Sequence, residues 1–283
     1  MTARIIDGKQ VAQDIRAELK EEAAKLKEKG IVPGLGVILV GEDPASKSYV
    51  TAKERACEEI GLYSDDNRLP AETSQEKLMA LVKKMNDDPK IHGILVQLPL
   101  PKHIDRNKII EAIDPKKDAD CLHPLNFGRF AQEGEEYSIV APATPLGIIK
   151  LLEEYKIKIE GKNAVVVGRS NIVGKPMAQF LLNRDATVTI CHRHTKNLKS
   201  YTQKADILVV AVGKMNMIKA NMVKKGAVVI DVGVNRGENK KIFGDIDFKS
   251  VSKKASHITP VPGGVGPMTI AMLLWNTVRL TEK

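Results

Sequence analysis

Short apolar runs recur along the chain: LGVILVG (35–41), HGILVQLPLP (92–101), NAVVVG (163–168), ATVTIC (186–191), ADILVVAVG (205–213) and GAVVIDVG (226–233). They are rich in Val and Ile and do not alternate with polar residues, as expected of parallel strands buried on both faces. Between them lie amphipathic stretches, SKSYVTAKERACEEIG (46–61) and SQEKLMALVKKMNDD (74–88), whose spacing predicts helices. Thr144-Pro145 reads as the N-cap and first turn of a helix through Tyr155, and a last helix is predicted from about Met268 to Leu280. This alternation predicts an α/β fold. The stretch FAQEGEEYSIVAPATP (130–145) breaks the pattern and marks a domain junction. The predicted domains are 1–140 and 141–267, with the carboxy-terminal helix (268–283) packing back on the first.

The 283 residues suffice for one large or two ordinary domains, and 4% aromatic content leaves the cores to aliphatic residues. Cys57, Cys121 and Cys191 are far apart and form no C-x-x-C pair, which argues against a disulfide framework or a metal site and favours a reducing compartment. No secretory h-region opens the chain, and no apolar run approaches the ~20 residues of a membrane span. A cytoplasmic protein with no membrane partner is expected. The net charge of +9 is uneven: residues 1–140 carry 21 Lys and Arg against 25 Asp and Glu, and residues 141–283 carry 23 against 10. The second half, at +13, reads either as a solvated lysine-rich surface or as a half that holds an anion.

The stretch AVVVGRSNIVGKPMAQF (164–180) bears on the second possibility. A phosphate-binding turn needs a sharp bend after a strand, free backbone N–H groups and a helix N-terminus. Gly168 supplies the bend, Ser170 offers a hydroxyl where a second glycine is usual, and Gly174 lets the helix pack one residue late. An ordinary strand–helix turn would look similar. The next strand sharpens the reading. A NAD site usually ends that strand in Asp or Glu, which holds the ribose 2′-hydroxyl. ATVTIC instead runs into His192, Arg193 and His194. A carboxylate would repel a 2′-phosphate and Arg193 would pair with one, so with Arg169 in the turn the pattern favours NADP.

In the first half, Tyr49 and Lys53 share a helix face at i, i+4. Such a pair is often merely solvated, but a lysine whose pKa is lowered by burial can do acid–base chemistry. Gln97 ends an apolar strand before a proline-stiffened loop, where α/β sites form. Asp120 lies in the irregular segment KDADCLHPLNFGR, where an Asp is commonly solvated or capping. TPVPGGVGPMT (259–269) is either a rigid turn or a backbone wall against a flat ligand.

Together SYVTAKERACEEIG, GILVQLPLP, KDADCLHPLNFGR, GRSNIVGKP, VIDVGVNR and TPVPGGVGPMT resemble the bifunctional methylenetetrahydrofolate dehydrogenase/cyclohydrolase family, in the family's order and over nearly the whole chain. The resemblance implies a catalytic, folate-binding domain and a Rossmann-type NADP domain with a cleft between them, dimerised through the cofactor domain. It implies oxidation of 5,10-methylenetetrahydrofolate with NADP, then hydrolysis of the methenyl product to 10-formyltetrahydrofolate. By the same carry-over Lys53 is the central catalytic residue, Tyr49 shapes the site over the folate, Gln97 tunes Lys53 and Asp120 holds the pterin. Leu98, Pro262 and Gly263 would line the folate pocket, and Gly168, Arg169, Ser170 and Val234 would contact the cofactor. Two departures stand out. Cys121 occupies a position where the family more often has Gly, and Met215-Asn216-Met217 replaces the commoner Pro-Gly-Phe, an apparent adjustment of the cofactor-domain surface. The competing readings are a member with only one activity, and a basic nucleic-acid-binding protein. The second half carries few aromatics and no basic–aromatic stripe, so no nucleic-acid partner is expected.

Overall fold

The structure, a computed structural model, describes residues 2–133, 139–237 and 241–282. The expected junction at 130–145 therefore lies partly outside the described residues. Strands run at Arg4–Ile5 (β1), Gly34–Val40 (β2), Tyr63–Leu69 (β3), Gly93–Val96 (β4), Asn163–Val167 (β5), Thr187–Cys191 (β6), Ile207–Val210 (β7), Val228–Asp231 (β8), Asn235–Arg236 (β9), Ile242–Phe243 (β10) and His257–Ile258 (β11). Helices run at Gly8–Glu28 (α1), Pro44–Ile60 (α2), Gln75–Asp87 (α3), Arg106–Glu111 (α4), Pro124–Glu133 (α5), Ala143–Glu154 (α6), Gly174–Leu182 (α7), Leu198–Thr202 (α8), Phe248–Val251 (α9) and Val265–Arg279 (α10). The chain divides into two compact units, one of Gln13–Ala143 with Ile270–Lys283, the other of Met1–Ala12 with Thr144–Thr269.

The first unit is built on a three-stranded parallel sheet in the order β3-β2-β4. The central strand β2 is buried at every position, as its unbroken apolar sequence requires. Gln97 stays on the ladder through its N–H to Ile38 O (2.8 Å), but Pro99 and Pro101 have no N–H to continue it, so the apolar run after Val96 is a loop. Helix α2 starts cleanly: the Asp43 carboxylate accepts from Ser46 N–H at 2.7 Å, with Pro44 in the first turn. Gly61 closes it at φ 80°. In α10, the Asn276 side chain donates to the carbonyls of Ala119 and Ala141, each at 2.8 Å, so it fixes both ends of the segment that holds Asp120.

The second unit holds a six-stranded parallel sheet in the order β1-β11-β8-β7-β5-β6, with a small antiparallel β9–β10 hairpin. Its core is almost wholly aliphatic, from Val165 and Val167 on β5 to Val229 on β8 and Ile258 on β11. Met217 packs against this cluster, so the Met-Asn-Met departure reaches the core and is not a surface adjustment alone. Asn216 sits at φ 51°, a left-handed conformation that glycine adopts freely and that asparagine tolerates better than most residues. No helix among the described residues is long and apolar enough to cross a membrane.

Candidate active site

Lys53 lies on the core-facing stripe of α2, in series with Ser46, Val50, Ala56, Cys57 and Ile60. That position, and not the neighbouring tyrosine alone, removes its ammonium group from water: the residue is 6% exposed. Burial lowers its pKa from 10.5 to about 8, against the opposing pull of the Asp120 charge. Its Nζ donates to Gln97 Oε1 at 2.9 Å, and Gln97 Nε2 donates to the Leu98 carbonyl at 2.8 Å. The amide is thus oriented with its oxygen towards the lysine. Lys53 and Gln97 are 44 positions apart, and the parallel register of β2 beside β4 places the end of β4 against α2. Tyr49 is half-buried one turn before Lys53.

Asp120 reaches this group on a loop stitched to β4: Asp118 bridges Ile94, and the Ala119 N–H donates to the Ile94 carbonyl at 3.3 Å. Burial raises the Asp120 carboxyl to about 6, opposed by the Lys53 charge and assisted by that of Asp118. Asp118 organises the loop. Its carboxylate accepts from the N–H of Leu122 (3.1 Å), the N–H of His123 (2.9 Å) and Asn126 Nδ2 (3.0 Å). Asp118 was not singled out from the sequence; two acids spaced i, i+2 in an irregular segment were the available signal. Cys121, directly after Asp120, stands at φ 54°. The left-handed region costs an ordinary side chain roughly 1–2 kcal/mol, which glycine would avoid. Its thiol is buried, and burial pushes its pKa well up, so it stays a neutral thiol.

The other predicted residues lie in the second unit. Gly168 follows β5 at φ 130°, and a Cβ there would stand 2.3 Å from the Ala211 carbonyl oxygen. At Gly174 a Cβ would stand 2.3 Å from the Gly168 oxygen. Only glycines allow this turn to close against β7 and α7. Ser170 Oγ accepts from the N–H groups of Val173 (3.1 Å) and Gly174 (3.4 Å), which caps the start of α7 and leaves the hydroxyl proton free to donate outward. The Gly168 N–H donates to Cys191 O at 2.9 Å, which sets the end of β6 beside the turn. The exposed turn after β6 holds Arg193, whose Nε donates to His194 Nε2 at 3.0 Å. Neither Arg169 nor Arg193 has a carboxylate partner among the described residues. A glycine cradle at a parallel sheet's carboxyl edge, with two unpaired guanidinium groups and no acid after β6, fits a dinucleotide bearing an extra phosphate. Val234, before β9, is exposed; Pro262 and Gly263 lie on the loop before α10, where the Gly263 carbonyl accepts from Lys9 N–H at 2.9 Å.

Two further carboxylates shape the carboxyl edge of this sheet and were missed in the sequence. Asp245 accepts from the N–H groups of Val212 (2.7 Å), Gly213 (3.0 Å) and Lys214 (2.7 Å) and from Asn235 Nδ2 (2.9 Å), which holds the loop after β7. Asp231 accepts from Gly233, Asp245 and Ile246 N–H groups. The signal was the acid itself, placed in VVIDVG and GDID, where only a carboxylate satisfied by backbone would tolerate burial. Among the described residues no cluster of three or more His, Cys, Asp or Glu could hold a metal ion.

Comparison with known proteins places both units. Residues 6–120 match the family model for the tetrahydrofolate dehydrogenase/cyclohydrolase catalytic domain, and residues 142–283 match that for the NAD(P)-binding domain. The protein described as bifunctional protein FolD of Moorella thermoacetica is 57% identical over 283 residues, covering 100% of both chains. That of Nitratiruptor sp. is 57% identical over 99% of this chain and 98% of its own. The crystal structure of the bifunctional FolD enzyme of Campylobacter jejuni matches with a TM-score of 0.96 at 52% identity over 99% of each chain. The Trypanosoma brucei enzyme, solved with NADP cofactor and inhibitor, matches with a TM-score of 0.96 at 39% identity over 100% of this chain and 98% of its own. The chain belongs to the tetrahydrofolate dehydrogenase/cyclohydrolase family.

Proposed function

We propose that this protein oxidises 5,10-methylenetetrahydrofolate to the 5,10-methenyl cation with NADP and hydrolyses that cation to 10-formyltetrahydrofolate. The observation that carries the reading is the buried Lys53 amine, lowered to about 8 and held at 2.9 Å by Gln97, with Asp120 beside it. When bound, NADP supplies the hydride acceptor. The chain's own residues then have distinct tasks. Asp120 offers two acceptor oxygens to the paired amino and ring N–H donors of a pterin. Hydride loss from the methylene carbon needs positioning and no base, because the product is itself a cation. Hydrolysis does need proton transfer: water loses a proton as its oxygen bonds to the methenyl carbon, and a ring nitrogen gains one as its bond to that carbon breaks. A cation arriving beside Lys53 disfavours the ammonium further, so the first product itself promotes the neutral amine that the second step uses. The homodimer we infer closes through β6, an edge strand of the cofactor unit that carries exposed Ile190, and we infer a cytoplasmic setting from the free, buried cysteines.

The test is an absorbance assay with methylenetetrahydrofolate and NADP that follows reduced cofactor and methenyl product separately. Reduced cofactor should accumulate while methenyl absorbance passes through a maximum and falls. Methenyl that accumulates and decays no faster than in buffer would leave a dehydrogenase alone.

Cofactor choice has its own test. Charge-assisted pairing contributes about 1.5–3 kcal/mol, so Arg193→Ala should weaken NADP at least tenfold and leave NAD nearly unchanged. Equal loss for both cofactors, measured by fluorescence titration, would sink the 2′-phosphate role.

A further inference from the structure

The positive charge of the second unit is not confined to its carboxyl edge. At the opposite, amino-terminal edge of the same sheet, a cavity of about 330 Å³ opens where β5, β7, β8 and β11 begin. Five lysines line it, Lys156, Lys158, Lys162, Lys224 and Lys225, against one carboxylate, Asp206. Asp206 is already taken up: it accepts from Lys224 Nζ at 2.5 Å and from the Asn163 N–H at 3.0 Å. Lys158 pairs with Glu160 at 3.2 Å, an exposed pair that solvent screens. Lys156 and Lys225 have no ion pair among the described residues, and Lys162 makes no direct ion pair but its charge acts on Asp206. A merely solvated face would scatter these ammonium groups. Here five exposed lysines line one concavity, and an anion held among them would relieve the repulsion of their charges.

The cavity is not the cofactor site. β5 separates Asn163 from Gly168, a rise of roughly 16 Å at about 3.3 Å per residue. Its tyrosine ring is already engaged. Arg4 covers one face of the Tyr155 ring at 4.8 Å, His257 meets it edge-on, and its hydroxyl accepts from the Asp7 N–H. The strand-end amides are occupied too: Asp206 N–H donates to Asn163 O and Val228 N–H to Asp206 O. What remains are ammonium groups, point charges that suit phosphate oxygens.

From this juxtaposition we propose a second anion site in the cofactor unit, which takes a small molecule carrying two or more phosphate groups and recognises the phosphates, not an attached base. The cavity's size is near the lower end for small-molecule pockets, which suits a compact polyanion better than a polymer. The absence of a free aromatic platform argues against single-stranded nucleic acid.

The experiment is calorimetric titration of sodium tripolyphosphate into the full chain saturated with NADP, at low ionic strength. One saturable site is expected. The double variant Lys156→Gln/Lys225→Gln removes two unpaired exposed charges and should weaken binding at least tenfold, while Lys25→Gln/Lys27→Gln in the last turn of α1 should leave it unchanged. Thermal melting verifies that both variants are folded. ATP should compete at comparable affinity, because nothing reads its base. No saturable heat, equal weakening by both double variants, or tighter binding of a single-stranded RNA oligomer than of tripolyphosphate would overturn the proposal.

Discussion

Lys53→Met is expected to abolish cyclohydrolase activity and to leave a reduced dehydrogenase. A positioned general acid–base group contributes about 10²–10⁴-fold, so the hydrolysis should fall at least a hundredfold. Hydride transfer loses only the positioning that the Lys53–Gln97 contact gives the folate. The variant suits this test because methionine matches the lysine stem and the fold should survive. Holding the ammonium at a pKa of about 8 instead of 10.5 costs roughly 3 kcal/mol at neutral pH, and the substitution removes that cost. Against this stands an unpaired Gln97 oxygen, at about 1–3 kcal/mol, so stability should change little.

The pH dependence follows from the same shift. With a pKa of about 8, roughly one tenth of Lys53 is neutral at pH 7, and wild-type hydrolysis should rise with pH up to about 8 before levelling. Stability moves in the same direction for a separate reason. Between about pH 8 and 10.5 the unfolded chain keeps a proton on this lysine that the folded chain has lost. The unfolded state binds more protons, so stability rises with pH across that window. Lys53→Met should flatten this rise in melts taken from pH 8 to 10. Cyclohydrolase near the wild-type rate in folded Lys53→Met would show that another group moves the proton.

Most strands legible in the sequence were those buried on both faces; β6, expected among them from ATVTIC, is instead an edge strand with Thr187 and Ile190 exposed, because no strand covers its outer side. β2 and β7 have no polar position to confuse their reading, β5 and β8 have one each and only at an end (Asn163, Asp231), and their observed bounds lie inside the predicted runs or within one residue of them. β3, YSDDNRL, was illegible because it is an edge strand, where paired backbone tolerates a polar sequence. The two-residue strands β1 and β11 are too short to carry a period, and only their tertiary pairing makes them strands. Lys53 is legible as a lysine whose pKa burial would lower, but the source of that burial is not. Its place on the stripe of α2 shows in the spacing only once it is allowed that a lysine can point inward. Asp118, Asp231 and Asp245 left only the weak signal of an acid in an otherwise apolar or irregular stretch, because the backbone N–H groups that satisfy a buried carboxylate belong to no residue type.

Asp120→Ala is expected to remove folate binding at ordinary substrate concentrations, and with it both activities there, while NADP affinity stays near wild type. The carboxylate has two oxygens to meet two pterin donors, and each charge-assisted bond contributes about 1.5–3 kcal/mol, so the loss should exceed a hundredfold in folate affinity. NADP survives because the groups offered to it, the Gly168 turn with Arg169, Ser170 and Arg193, all belong to the other unit. Two consequences separate anchoring from chemistry. Asp120 is raised to about 6, so folate affinity in the wild type should fall as pH drops below 6 and the accepting carboxylate is neutralised, a dependence the variant should lack. The Asp120 charge also raises the Lys53 pKa, so in Asp120→Ala the amine should titrate below 8. Whatever hydrolysis remains at saturating substrate should then reach its plateau at lower pH, not vanish. Calorimetry of folate binding against pH, with pre-steady-state hydrolysis at high substrate, distinguishes these outcomes. Wild-type folate affinity in the variant would refute the anchor, and residual hydrolysis with an unshifted plateau would refute the electrostatic link to Lys53.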